Sequence, residues 1–246
     1  MTASPERIKA PRRLLLMGDA RQVHLRKWAS FFKDDGFEVL SMSLEPVRSF
    51  PGDLEIPRVP PSLPDCIRYP LAVPFAKRLI DRFKPDLINA HFLPNYGMIA
   101  AMTGWKPWIL TAWGSDIMIL PAKSPFHMWR TRFVLKRCAS VVSDAFVMTD
   151  RLLELGCRPD AVLTVPYGVD TDVFKPEEGD RPAAPGPMIL SNRKLEEVYN
   201  VETIVRAFAR IKRELPRAVL TIAGDGSRKT ALERMVESLG LGNVDF

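Results

Sequence analysis

Short, wholly apolar runs alternate along the chain with segments whose apolar residues recur every three or four positions. Arg13 to Met17 (RLLLM) has no polar break before Gly18 and predicts a buried strand of a parallel sheet. Gln22 to Asp35 predicts a helix, with Val23, Trp28, Phe31 and Phe32 forming most of its apolar stripe and Gly36 ending it. Glu38 to Ser43 predicts a second strand, and the resulting βαβ unit implies a parallel sheet. Further helices are expected near 73–83, 96–103, 125–137 and 144–155, with strands at 87–91, 108–112, 140–143 and 161–165. Between Pro46 and Pro74 stand eight prolines. Proline lacks an N–H and fixes φ, so this stretch predicts a long surface excursion and not a central element.

Residues 1–174 therefore read as one doubly wound α/β domain. Residues 175–187 (KPEEGDRPAAPGP) hold four prolines, two glycines and five charged residues without apolar periodicity, which predicts a linker. A second alternation fills 188–246: strands at 188–191 and 218–223, helices at 201–214 and 228–239, and the opening of another strand at 243–246. Two and a half strands with two helices leave apolar faces half uncovered, because a parallel sheet is covered on both sides. The expectation is that the chain is the first part of a longer protein.

Composition narrows the class. The chain has 246 residues, 46% hydrophobic and 26% charged, which excludes collagenous and low-complexity proteins. The most apolar stretch, 97–114, is broken by Thr103, Lys106 and Pro107, and the N-terminus lacks a signal-peptide core, so a cytoplasmic protein is expected. Cys66, Cys138 and Cys157 show neither a disulfide framework nor metal-ligand spacing. The net charge of +6 suits nucleic acid, acidic headgroups or phosphorylated small molecules, and equally a scatter of solubilising charge. No nucleic-acid recognition motif is present, no G-x-G-x-x-G follows the first strand, and no P-loop occurs.

In open parallel sheets ligands bind at the carboxyl ends of the strands. There the sequence places Gly18-Asp19-Ala20-Arg21 with His24 on the next helical turn, a geometry that tolerates anions if the loop amides point outward. His91 ends a strand, where proton transfer, a phosphate contact or simple capping are all open to it. Thr111 to Asp116 (TAWGSD) follows the next strand; Ser115 or Asp116 caps a turn there, or Asp116 accepts from substrate hydroxyls. Arg193 follows the strand at 188–191 and suits a phosphate, while Gly224-Asp225-Gly226 forms a nucleotide-sheet-like turn. From 121 to 140 five basic residues and no acids accompany Phe126, Trp129 and Phe133. That pattern describes either a core-facing aromatic stripe with a solvated basic edge, the commoner case, or an interfacial helix on anionic lipid.

In combination, His24 with GFEV, TAWGSD at 111–116, PYGVDTDVF at 166–174, SNRKLEEVYNVETIVRAFARI at 191–211 and the segment 218–246 resemble the retaining family 4 glycosyltransferases of the GT-B fold. The resemblance implies two Rossmann-like domains, the first complete and the second represented by its opening part. It implies transfer of a sugar, with retention, from a nucleotide-diphosphate sugar to a saccharide or lipid-linked acceptor, without a metal or other cofactor. By the same likeness Arg193, with Gly18, Gly224 and Gly226, serves the donor. His91 and Asp116 are the catalytic candidates, and His24, Trp113 and Ser115 line the acceptor cleft. Trp113 stands where family members often carry a histidine, Val198 where a lysine usually stands, and no E-x7-E pair occurs in the 246 residues. The chain alone is therefore expected to lack turnover. The alternative is a non-catalytic protein that docks an anionic lipid or partner through its basic helix. Nucleic acid is not an expected partner, and any membrane contact is peripheral.

Overall fold

The computed structural model describes residues 13–176 and 186–246, so most of the expected linker lies outside the described residues. The chain divides into two compact units between Asp170 and Thr171.

The first unit is built on seven parallel strands: β1 (Arg13–Met17), β2 (Glu38–Met42), β3 (Asp53–Glu55), β4 (Leu87–His91), β5 (Trp108–Thr111), β6 (Ser140–Ser143) and β7 (Val162–Thr164). Their order is β3-β2-β1-β4-β5-β6-β7, so the winding direction reverses between β1 and β4. The helices are α1 (Val23–Asp34), α2 (Asp65–Leu71), α3 (Val73–Phe83), α4 (Met98–Thr103), α5 (Ser115–Met118), α6 (Pro125–Leu135) and α7 (Phe146–Glu154). Leu14, Leu15, Leu16 and Met17 are at most 2% exposed, because helices cover both faces of β1.

One face packs Leu14 and Leu16 against Leu25 and Ala29 of α1, with Trp28 and Phe32 half-buried beside them. The expected stripe is thus corrected: Val23 and Phe31 are 56% and 64% exposed. Ala29 lets the helix backbone approach the sheet, which turns the two bulkier residues outward. The proline-rich excursion also holds more structure than expected. β3 pairs with β2 alone, the edge position proline-flanked strands favour, and α2 accommodates Pro70 in its last turn. Arg68 of α2 is buried, its guanidinium 2.6 Å from Glu45 Oε1 and donating to the Leu44 carbonyl at 2.8 Å. In α6, Thr131, Val134 and Leu135 face the core, while Phe126 and Trp129 are 54% and 53% exposed. The reading of a core-facing aromatic stripe therefore fails at two of its three residues.

The second unit has β8 (Met188–Ser191), α8 (Val201–Glu214), β9 (Val219–Ile222), α9 (Lys229–Ser238) and β10 (Val244–Asp245), with sheet order β10-β9-β8. Its own core joins Val205 and Phe208 of α8 to Leu220, Ile222, Leu232 and Val236.

Candidate functional site

The reversal point between β1 and β4 opens a crevice at their carboxyl ends, the position where open α/β sheets bind ligands. His91 is the last residue of β4, and Phe92 after it has φ 70°, a left-handed conformation that is strained for an aromatic residue. The chain then makes a wide turn over Phe92–Gly97.

Asp116 holds this corner. Its Oδ2 accepts the Leu93 N–H at 2.9 Å and its Oδ1 the Trp113 N–H at 3.0 Å, tying the turn after β4 to the loop after β5. The residue is fully buried, and burial raises its carboxyl above the usual range against the lowering effect of those amides. Both oxygens are committed to backbone, so the geometry makes Asp116 a positioning residue. Ser115 is exposed at the first position of α5.

Asp116 thereby sets Trp113, whose Nε1–H donates to His91 Nδ1 at 3.3 Å. That bond leaves the His91 proton on Nε2, a buried donor with no partner among the described residues. Burial, with the charge of His24 adding, pushes the imidazole down to about 3. His91 is therefore neutral at physiological pH. Its ring can donate a hydrogen bond, but it does not cycle a proton near pH 7 as its residue type alone suggests.

Around it lies an aromatic cluster. Trp28 meets His91 edge-on at 5.3 Å between centroids, and His24 meets Trp113 in the same way at 5.3 Å. His24 also stacks on Tyr167 at 4.7 Å. A cavity of about 250 Å³ opens beside them, lined by His24, Lys27, Trp28, Phe31, Phe32, Tyr167 and Gly168. A second, of about 180 Å³, runs from Trp28 and Tyr167 to Thr111 and Asp144. Trp28 and Tyr167 thus line both cavities and His91 neither. Sequence reasoning placed Trp28 in the core stripe and left Tyr167 without a role. An aromatic–glycine pair just past the carboxyl end of β7 was the available signal.

The Gly18 loop differs from expectation. The amides of Gly18, Ala20, Arg21 and Gln22 all donate within the loop or to the end of β2, so none of these four is left for an anion. Gly18 has a packing reason instead: a Cβ there would stand 2.8 Å from Leu25 Cδ1 and 3.2 Å from His91 Cβ.

In the second unit Arg193 and Lys194 are exposed on the loop after β8. The turn 224–228 knits this loop in place: Leu195 N–H donates to the Asp225 carbonyl at 2.9 Å and Ser227 Oγ to Glu196 Oε2 at 2.6 Å. A Cβ on Gly224 would lie 2.1 Å from the Arg193 carbonyl oxygen, and one on Gly226 2.5 Å from that of Leu195. Both glycines therefore admit the chain's own backbone, where the sequence suggested a phosphate. The neighbouring cavity of about 340 Å³ is lined by Glu196, Glu197, Glu202 and Arg228, with Glu202 and Arg228 ion-paired. Among the described residues no cluster of three or more His, Cys, Asp or Glu side chains could hold a metal.

Residues 13–145 match the family described as glycosyl transferase 4-like, and residues 177–246 match glycosyl transferases group 1. Among solved structures, HepE of Anabaena in complex with UDP-glucose superposes with a TM-score of 0.72 at 14% identity, over 95% of this chain and 68% of that one. Sucrose-phosphate synthase of Thermosynechococcus elongatus gives 0.74 at 15% identity, over 96% and 70%. A UDP-N-acetylglucosamine 2-epimerase of Listeria monocytogenes, described as putative, gives 0.61 at 10%, over 96% and 68%, so this fold also carries other chemistry. A search of curated protein sequences finds no match. The structural likenesses establish a GT-B-type α/β fold, and the match over 13–145, more than half of the chain, establishes that it belongs to the glycosyl transferase 4-like family.

Proposed function

We propose that this glycosyltransferase moves a sugar from a nucleoside-diphosphate sugar to a saccharide or lipid-linked acceptor, in the cytoplasm, with retention of configuration and without a metal. Family membership supports the reaction class. The observation that carries the site is the pair of cavities that Trp28 and Tyr167 wall together, one of them reaching Thr111 at the end of β5.

In this reading Asp116 fixes Trp113, Trp113 fixes the His91 tautomer, and the buried His91 holds Trp113 and Trp28 in place beside the cavities. His24, Lys27, Trp28 and Tyr167 form the acceptor surface, where flat rings suit the apolar face of a sugar. Arg193, an exposed guanidinium at the carboxyl end of β8, takes the donor diphosphate, with Lys194 adding charge. Gly18 supports the first unit's surface through packing, and Gly224 and Gly226 the loop that carries Arg193.

Calorimetric titration with UDP, GDP and ADP tests the donor assignment. Arg193→Ala should weaken the diphosphate that binds by about 30- to 150-fold, the loss of a charged contact of roughly 2–3 kcal/mol. Equal affinity in wild type and variant would remove Arg193 from the donor site.

A further inference from the structure

From the end of the candidate site onward, the surface of the first unit changes character. Two residues past Asp116, Met118 and Ile119 are 39% and 44% exposed, and Phe126 and Trp129 follow at more than half exposed. Phe126, Trp129 and Phe133 form one ladder along α6, with centroids 5.8 Å and 5.4 Å apart. Because the opposite side of α6 fills the core, this helix is apolar on both faces, and a helix of that kind buries both. Cations interleave the ladder. The Arg137 guanidinium lies 3.6 Å from the Phe133 ring centroid and that of Arg130 5.8 Å from Phe126. Lys123 and Arg132 are exposed and have no ion-pair partner among the described residues. From 121 to 140 there is no acid at all; among the described residues the acidic charge that acts on Arg130 is Asp65, at the start of α2.

We infer that this face, Met118 to Trp129 with its flanking cations, docks the protein on a bilayer surface carrying anionic lipid headgroups. The rings and Ile119 enter the headgroup–acyl boundary, and Lys123, Arg130 and Arg132 meet lipid phosphates. Charge decides between occupants. A second copy of this chain would set the same cations against one another with only Asp65, beside Arg130, to offset them, whereas an anionic bilayer offers a phosphate to each. Among the described residues no helix is long and apolar enough to cross a membrane, so the contact lies in the interface plane. Docking there also holds the loop Trp113–Asp116 close to the bilayer, because α5 and the exposed residues continue directly from it.

The inference does not depend on the donor assignment, and its test contains no nucleotide sugar. The chain is co-sedimented with phosphatidylcholine vesicles and with vesicles in which about one-third of the lipid is phosphatidylglycerol. Wild type should bind the anionic vesicles about tenfold or more tightly than the neutral ones, and added salt should weaken that binding. Phe126→Ser/Trp129→Ser should abolish it while keeping the wild-type circular dichroism spectrum, since both side chains are exposed. Lys123→Gln/Arg132→Gln should reduce binding to anionic vesicles and leave neutral ones unaffected. Failure to bind anionic vesicles overturns the inference, as does binding undiminished in the double serine variant. A self-association seen by sedimentation velocity and lost in that variant would also overturn it, by making the face a protein interface.

Discussion

At the residue scale, His91 carries the argument. It ends a strand in the sequence and ends one in the structure, so its place was legible from the run LINAH. Its chemistry was not. The expectation of a group poised near neutrality follows from residue type, whereas the depressed value follows from complete burial beneath Trp28 and Trp113. Desolvation disfavours the imidazolium, and no periodicity along the sequence reports it. The consequence for stability has a definite sign. Unfolded, His91 titrates near 6.5; folded, near 3, so between those values the unfolded chain binds the extra proton. Stability from this group is present in full above about pH 6.5 and declines on acidification toward pH 3, by up to about 1.4 kcal/mol per pH unit. Asp116 contributes the opposite slope, because its raised carboxyl protonates more readily when folded. His91→Asn keeps an acceptor near Nδ1 and removes the titration. Denaturant melts at several pH values should therefore show wild type losing stability relative to this variant as pH falls from 6.5. Parallel pH curves for the two proteins would disprove a buried, neutral His91.

At the element scale, every strand and helix except β3, α2 and α5 could be read from apolar runs and 3.6-residue periodicity to within two residues. The wide turn at Phe92–Gly97 could not, since nothing in FLPNYG distinguishes it from the start of α4. The facing of α1 was also hidden. Leu25 and Ala29 turn inward because they stack on Leu14 and Leu16, and that depends on which strand the helix crosses. Glycines were the most ambiguous signal. Gly224 and Gly226 read as a phosphate turn, yet each lies against a carbonyl of the loop carrying Arg193. Gly224→Ala puts a methyl group into backbone, which cannot yield as a side-chain tip does. It should cost the second unit about 3 kcal/mol, the upper end for overpacking, and displace the Arg193 loop. The two units have separate hydrophobic cores, so the change should shift only the unfolding of the second. Denaturation followed by hydrogen exchange in each unit checks this; an unperturbed second unit would mean the loop packs differently.

At the scale of the whole molecule, the alternation of elements and the break near residue 175 led to two Rossmann-like units, and the family match reaches across 13–145 in the first of them. Fold alone leaves the chemistry open, because a protein described as a putative UDP-N-acetylglucosamine 2-epimerase shares the architecture. On the proposed reading the site narrows it: a buried, neutral histidine held by a tryptophan, itself held by a buried aspartate, fixes the aromatic rings that take a sugar or an acceptor. Gly18 closes the arrangement by letting the Leu25 side chain and His91 Cβ approach its backbone.

The measurement that tests this most directly is a long-range proton–nitrogen correlation spectrum of the histidine rings, recorded against pH and with added nucleoside-diphosphate sugar and acceptor. The account predicts that His91 stays in the Nε2–H form down to about pH 4, one unit above its midpoint, and that the ring resonances of His24, in the cavity wall, move when substrate binds. A midpoint near 6.5 for His91, or His24 resonances indifferent to every substrate, would contradict it.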